Sequence, residues 1–323
     1  MRTTRRDWLV GSAATAGSLL IGCTREEPRF RTASSSSVAP ASHTPREVLR
    51  VLQGQPTQDG AGVSLTRVIG QRELDHLDPF LLFDEIHSDA PNAYIAGFPN
   101  HPHRGFETIS VMLQGNMRHR DSRGNAGLIT GGGVQWMTAG RGIVHSEMPE
   151  QEAGMLWGFQ LWLNLPRAEK MCVQRYQDLA PERITERRLA SNGLLRAISG
   201  QTLDVEGPVE ARATEPMLFT DTLRDEAPLE IDVPRDHNAF VFVHAGELET
   251  GPERRRTRVQ TNEIAIFDAG SRVSLRGVRE GTGILFAAAR PLREPIARRG
   301  PFVMNTQEEI EEAFADYRAG RLG

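Results

Sequence analysis

Two pairs of side chains near the middle of the chain have the types and the spacing to hold a metal ion. His101 and His103 are separated by one residue, and so are His145 and Glu147. Alternate residues of a β-strand face the same way, so each pair can present both of its donors to one side. Two such strands lying together would bring three imidazoles and one carboxylate to a point. These donors suit iron, manganese, cobalt, nickel, copper or zinc, and no thiolate stands among them to select a soft metal. Four protein ligands leave an octahedral metal with open positions, which is how a metal that does chemistry is held, since purely structural sites are usually closed.

The surrounding sequence predicts the elements that would carry these pairs. Short apolar runs alternate with turn residues from Arg46 onward: Val48–Leu52, Thr66–Ile69, Thr108–Leu113, Gly127–Ile129, Val134–Met137 and Leu156–Leu165 read as strands. Gly115-Asn116 and Gly131-Gly132-Gly133 supply turns. Pro102, between the first two histidines, cannot donate to a ladder and predicts an edge strand or a strand start. The charged residues 166–190 read as a linker. A second β-rich unit follows from about Gly193, with strands at Ala239–Val243, Glu263–Phe267 and Gly283–Phe286. It is a weak repeat of the first: Val111 to Gly115 is similar to Phe242 to Gly246, and Thr138 to Gly140 to Asp268 to Gly270. Counted from these anchors without gaps, the ligand positions become Asp232, Pro234, Leu275 and Gly277. The second unit is therefore expected to hold no metal, with His237 and His244 structural. Residues 306–319 read as a helix, with a Thr306-x-x-Glu309 capping box and an apolar stripe of Ile310, Ala313, Phe314 and Tyr317. Many short strands without interleaved helices predict an all-β fold of sandwiches or barrels.

The string His101-x-His103-x-x-x-Glu107, then Gly115, then Gly140-x-Gly142-x-x-His145 resembles the two short motifs of the cupin superfamily. The longer stretches HPHRGFET and QWMTAGRGIVHSEM resemble the pirin family within it. Asp78 to Glu85, Leu161 to Leu165 and Gly300 to Asn305 are also pirin-like, so the resemblance covers about residues 46–323. It implies a bicupin: two jelly-roll β-barrels and a short C-terminal helix, with a metal-binding domain at 46–170 and a domain without ligands at 171–323. It further implies one iron, as Fe2+, held by His101, His103, His145 and Glu147. The glutamate at the position of Glu107 is a ligand in many cupins but not in pirins, so Glu107 is expected beside the ligands or as a partner of Arg104. His119 and Asp121 are expected on a solvated strand. Trp136 and Met137 fit a pocket wall and a core equally well.

Some pirins oxidise the flavonol quercetin with dioxygen, which implies a quercetin 2,3-dioxygenase-like activity here. In it, Glu147 would take the flavonol's hydroxyl proton and the ring would open with loss of carbon monoxide. The implied partners are a flavonol-like aromatic substrate and dioxygen, for a chain expected to be a monomer. Other pirins are described as iron-dependent regulatory partners, so a non-catalytic iron-binding interaction protein is the alternative. A carbohydrate isomerase or another cupin enzyme is a weaker one.

Residues 1–23 are expected to be a leader. Thr4-Arg5-Arg6-Asp7-Trp8-Leu9 resembles a twin-arginine (Tat) export signal. The uncharged run after it is shorter than the roughly 20 residues of a membrane span, and Leu20-Ile21-Gly22-Cys23 resembles a lipobox with Cys23 as the lipidated residue. Residues 24–45, rich in Ser, Pro, Thr and Ala, read as a flexible tether. The expected product is a periplasmic or membrane-anchored lipoprotein, touching membrane only through its lipid, with a cytoplasmic protein as the alternative. Typical pirins lack such a leader, which argues against an intracellular partner role. A net charge of −4 over 323 residues recruits no nucleic acid by bulk electrostatics. If Cys23 carries lipid, Cys172 is the one remaining thiol and no internal disulfide can form.

Overall fold

The computed structural model describes residues 43–189, 193–211, 213–223, 227–279 and 281–322. The expected leader, the expected lipidation residue Cys23 and nearly all of the expected tether lie outside them. Among the described residues no helix is long and apolar enough to cross a membrane.

The chain folds as two antiparallel β-barrels. The first closes a seven-stranded sheet over a four-stranded sheet ordered Phe98–His103, Ile143–Pro149, Asn116–Asp121, Ala126–Thr130. The second repeats the plan, with Leu229–Asp232, Arg272–Gly277, Glu247–Thr250 and Thr257–Gln260 as its smaller sheet. The strands expected from the apolar runs are present, most within a residue or two of their bounds; Val63–Ile69 and Thr282–Ala289 run longer by three. Pro102 lies on Phe98–His103, an edge strand, where its missing N–H leaves no gap in a ladder.

Strand alternation sorts the side chains. On Phe106–Gln114, Ile109 and Val111 face outward and join Phe83, Trp136 and Phe159 against Phe240, Phe242, Ile264 and Ile266 of the second barrel. Edge-to-face ring pairs mark that seam: Phe80 with Phe240 at 5.0 Å and Phe83 with Phe242 at 5.1 Å. Trp136 and Met137 are thus buried in cores and do not wall a pocket.

The two barrels exchange strands across the boundary expected at residues 170 and 171. Val48–Gln53 adds to the large sheet of the second barrel by pairing with Glu263–Phe267, and Arg175–Leu179 adds to the first by pairing with Val134–Thr138. Residues 166–190 are therefore not a linker. Charge there misled because edge strands carry it outward, while Lys170 carries it inward. Lys170 is 1% exposed, and its ammonium donates to the Gly105 carbonyl at 2.8 Å, Asn164 Oδ1 at 2.6 Å and the Val303 carbonyl at 2.9 Å. Burial pushes its pKa down to about 7.

The C-terminal segment returns to the first barrel. A hairpin of Ala297–Arg299 and Phe302–Met304 leads to the helix Gln307–Arg318, whose Thr306 cap and Glu309 form the capping box. Ile310 and Ala313 pack with Phe302, Met304 and Leu322 against Val144, between the ligand strand's ends. Two motif glycines make room for this. A Cβ at Gly105 (φ +91) would strike the Val303 carbonyl, and one at Gly142 (φ +134) would strike Leu322.

Lys170 should thus clamp the end of the first histidine strand to the C-terminal hairpin. Lys170→Met leaves three buried acceptors without their donor and should cost about 2 kcal/mol. The denaturant midpoint should fall with an unchanged slope; an unmoved midpoint would remove the clamp from the account.

Candidate metal centre

The edge strand Phe98–His103 and its neighbour Ile143–Pro149 run antiparallel with His101 directly opposite His145 and His103 opposite Ile143. In this register His101, His103 and His145 converge, with their candidate ligand atoms all within 4.8 Å of one another. Their ring centroids lie 4.4 to 5.0 Å apart. His103 and His145 are buried, while His101 is half-buried at the mouth of a cleft.

The ring nitrogens fit a metal. His101 Nδ1 faces the Pro99 carbonyl at 2.8 Å, and His103 Nδ1 faces the Pro301 carbonyl at 3.4 Å. A carbonyl can only accept, so each Nδ1 carries the proton and each Nε2 keeps its lone pair free, the second-sphere arrangement usual for metal-binding histidines. His145 is 1% exposed, and among the described residues neither of its nitrogens has a hydrogen-bond partner. A buried imidazole without partners is costly in a metal-free protein, and ligation would satisfy it. Burial, with the neighbouring imidazoles, also holds His103 and His145 well below the ordinary histidine range, so both are neutral and can donate.

Glu147 lies outside the three-histidine group. It shares a strand face with His145, with a bulge in the pairing between them, and is buried. Ser110 Oγ donates to its Oε1 at 3.0 Å and Gln160 Nε2 to its Oε2 at 2.8 Å. Glu107 is buried on the adjoining sheet, where its Oε1 accepts from Thr138 Oγ1 at 2.6 Å. Arg104 turns away toward the C-terminal helix, donating to the Arg141 carbonyl at 2.6 Å and to Asp316 Oδ2 at 2.7 Å.

His119 corrects an expectation. It is 1% exposed, faces Glu147 across the strand pair and packs on Tyr176. The strand Asn116–Asp121 alternates inward Met117 and His119 with Arg118 and Arg120 on the other face, and that parity was visible in the sequence. Asp121 ends the strand and accepts from the Arg123 and Asn125 amides in a turn.

A cleft of about 630 Å³ opens beside His101 and His103, walled by Phe98, Leu82, Gln160, Trp162, Arg67 and Arg298 among others. Ser110 and Gln160 went unnoticed in the sequence, although each is a polar residue set into an apolar strand. Arg67 and Arg298 carried no local signal.

The second barrel holds no comparable group among the described residues. There Leu275 pairs with Leu229, not with Asp232, and Leu229, Ile231 and Leu275 fill an apolar core. Asp232 instead accepts from Arg272 at the surface. The gap-free count misplaced the first pair of counterparts, because the two copies differ in loop length; neither placement offers a set of ligands, Asp232 being the one donor among them. His237 and His244 are structural: His237 contacts Asp236 and the Glu215 carbonyl, and His244 packs on Trp157 and Phe159 of the first barrel.

Comparison with known proteins agrees with this architecture. Residues 62–163 match the pirin family and residues 219–323 match the pirin C-terminal cupin domain. A Pseudomonas aeruginosa protein provisionally named quercetin 2,3-dioxygenase is 44% identical over 281 residues, covering 86% of this chain and 98% of its own length. The pirin of Mus musculus is 40% identical over 269 residues, covering 82% of this chain and 90% of its own. The crystal structure of a quercetin 2,3-dioxygenase from Acinetobacter baumannii superposes with a TM-score of 0.79 at 32% identity, covering 86% of this chain and 98% of that one.

Metal analysis checks the site directly. The purified protein should carry close to one transition metal per chain, and His101→Ala or His145→Ala should each lower its metal affinity by more than about a hundredfold, beyond the effect of losing an outer-sphere partner. A double variant that keeps its metal, or a stoichiometry near two, would contradict both the site and the expectation that the second barrel binds none.

Proposed function

The chain belongs to the pirin family of cupin proteins, and from that premise we propose a metal-dependent dioxygenase of the quercetin 2,3-dioxygenase kind, acting on flavonol-like substrates. The observation that carries the proposal is the buried His145, without a hydrogen-bond partner among the described residues, beside His101 and His103, which line an open cleft. Homologues bearing the quercetin 2,3-dioxygenase name support the reaction class.

His101, His103 and His145 would hold the metal, with Glu147 as the fourth ligand on their strand pair. The nitrogen and oxygen donors, with no cysteine among them, suit Fe2+. When bound, such a metal supplies a Lewis acid that favours an ionised phenol and a redox partner for dioxygen.

The chain's own residues do the rest. Glu147 accepts the flavonol's hydroxyl proton, which turns the ring into an electron-rich enolate able to react with dioxygen. Ser110 and Gln160 each hold one oxygen of that carboxylate, so its orientation is set before substrate arrives. Phe98, Leu82 and Trp162 present an apolar wall for a planar ring and exclude water from the reactive face. Both oxygen atoms of dioxygen enter the product as the ring opens, and one ring carbon leaves as carbon monoxide. His119 faces Glu147 from the neighbouring strand and stiffens its setting, while Glu107, on the face its strand shares with Ile109 and Val111, bonds Thr138 away from the ligands.

Iron-loaded protein should consume oxygen and release carbon monoxide with flavonols such as quercetin. Glu147→Gln should lower kcat by about a hundredfold or more while changing substrate binding far less, as expected for a group acting in the reaction itself. Absence of oxygen uptake across a flavonol and catechol panel would return the weight to a non-catalytic iron-binding partner.

We also propose that the first 23 residues direct export by the twin-arginine route and that Cys23 carries lipid. That route accepts folded protein, so iron could be inserted before the site meets tighter-binding copper or zinc. Cell fractionation should find the wild type on a membrane outside the cytoplasm. Arg5→Lys/Arg6→Lys should remain in the cytoplasm, and Cys23→Ala should lose its membrane attachment. Soluble cytoplasmic wild-type protein that retains Met1 would sink this assignment.

A further inference from the structure

The cleft beside the histidines is finished by a residue from the far end of the chain. Arg298 lies on the C-terminal hairpin, whose Pro301 carbonyl also receives His103 Nδ1. Its guanidinium carbon sits 5.0 Å from the centroid of the Trp162 ring. The same indole packs against Phe106 at 4.4 Å and meets His103 edge-on at 5.1 Å. One tryptophan therefore stands between a candidate metal ligand and a cation, and both line the same cavity.

The charges of the cleft are not equivalent. Arg67 is neutralised within the wall: it donates to both oxygens of Asp84, at 2.9 and 2.8 Å, and to Asp59 at 2.7 Å. Those two aspartates are the acids lining the cavity. Arg298 donates to a main-chain carbonyl, that of Leu81 at 3.0 Å, and among the described residues no carboxylate lies within ion-pair distance of it. Asp75 borders it in the neighbouring groove. The wall as a whole is close to electrically balanced, so any selectivity comes from short-range hydrogen bonding by Arg298 and not from a broad field. A guanidinium packed over an indole, exposed to the cavity and without a bonded acid among the described residues, is preorganised to take a planar oxyanion by paired N–H bonds.

We propose that Arg298 is a specificity-determining residue that selects aromatic substrates carrying a carboxylate, or another planar oxyanion, at the end of the molecule away from the histidines. This deepens the proposed dioxygenase function by narrowing its substrate class, and it rests on that function for the orientation of the ring. Arg298 acts on binding and takes no part in proton transfer. The apolar wall of Leu82 and Phe98 accepts the ring, while Arg298 reads the substituent.

Two ligands that differ in one group make the test. Catechol and 3,4-dihydroxybenzoate are titrated calorimetrically into the protein as purified, without oxygen, so that nothing turns over. The wild type should bind the carboxylate-bearing ligand at least about tenfold more tightly, the scale of one charge-assisted hydrogen bond. Arg298→Met should bring the ratio near one, and Arg298→Lys, which keeps the charge but loses the fork, should fall between. A wild-type ratio near one, no binding of either ligand, or a ratio that survives Arg298→Met would overturn the assignment. The readout is separate from oxygen uptake. Protein that consumes oxygen with flavonols but shows no ratio refutes only the role of Arg298. A clear ratio without any turnover refutes the dioxygenase and leaves the selective cleft in place.

Discussion

The molecule depends on one strand register. Phe98–His103 and Ile143–Pro149 pair so that His101 faces His145, and a slip of a single residue would turn one histidine set to the opposite face. That register is set by what surrounds it. Ile143–Pro149 is held on its other side by Asn116–Asp121. Val144 is gripped from behind by the C-terminal helix and Leu322, and Gly105 and Gly142 let that tail approach. The motif glycines are thus as much a condition of the site as the histidines: they carry positive φ, and they leave the space through which the end of the chain reaches its beginning.

The second barrel contributes although it presents no comparable group of ligands among the described residues. Its large sheet buries the back of the first barrel's large sheet, which carries Ser110 and Gln160 on its inner face and the Phe83, Phe159 and Trp136 seam on its outer face. Rigid packing on one face keeps the polar residues of the other in place. The strands exchanged between barrels add to this, since neither sheet is complete without chain from the other half. The same logic explains Arg104, which sits next to His103 yet spends its charge on Asp316 of the helix. It ties the ligand strand to the tail and leaves the metal group to imidazoles. A buried site that needs neutral donors gains from having the adjacent cation neutralised elsewhere.

Much of this was legible in the sequence because it is local. Strands came from apolar runs bounded by glycines, the helix from its capping box, and the convergence of His101, His103 and His145 from two-residue spacing. What was not legible depends on contacts distant in sequence. Charge in residues 166–190 suggested solvent, but two of the three acceptors of Lys170, the Gly105 and Val303 carbonyls, lie 65 and 133 positions away, where no window around it shows them. His119 was expected on a solvated strand because it lies near a turn, although its parity with Met117 pointed inward. The donors to Glu147, Ser110 and Gln160, lie on strands whose arrangement no spacing rule gives. Arg298 meets Trp162 across 136 positions of sequence and could be placed only by the fold.

The central claim is that three imidazoles from two paired strands hold one divalent metal in the first barrel alone. Anomalous diffraction from crystals of the purified protein, recorded on both sides of the absorption edge of the metal it carries, tests this most directly. The account predicts a single strong peak per chain, within bonding distance of His101, His103 and His145, and none inside the second barrel. A peak elsewhere, or no peak beside His145 in protein shown to contain metal, would contradict it.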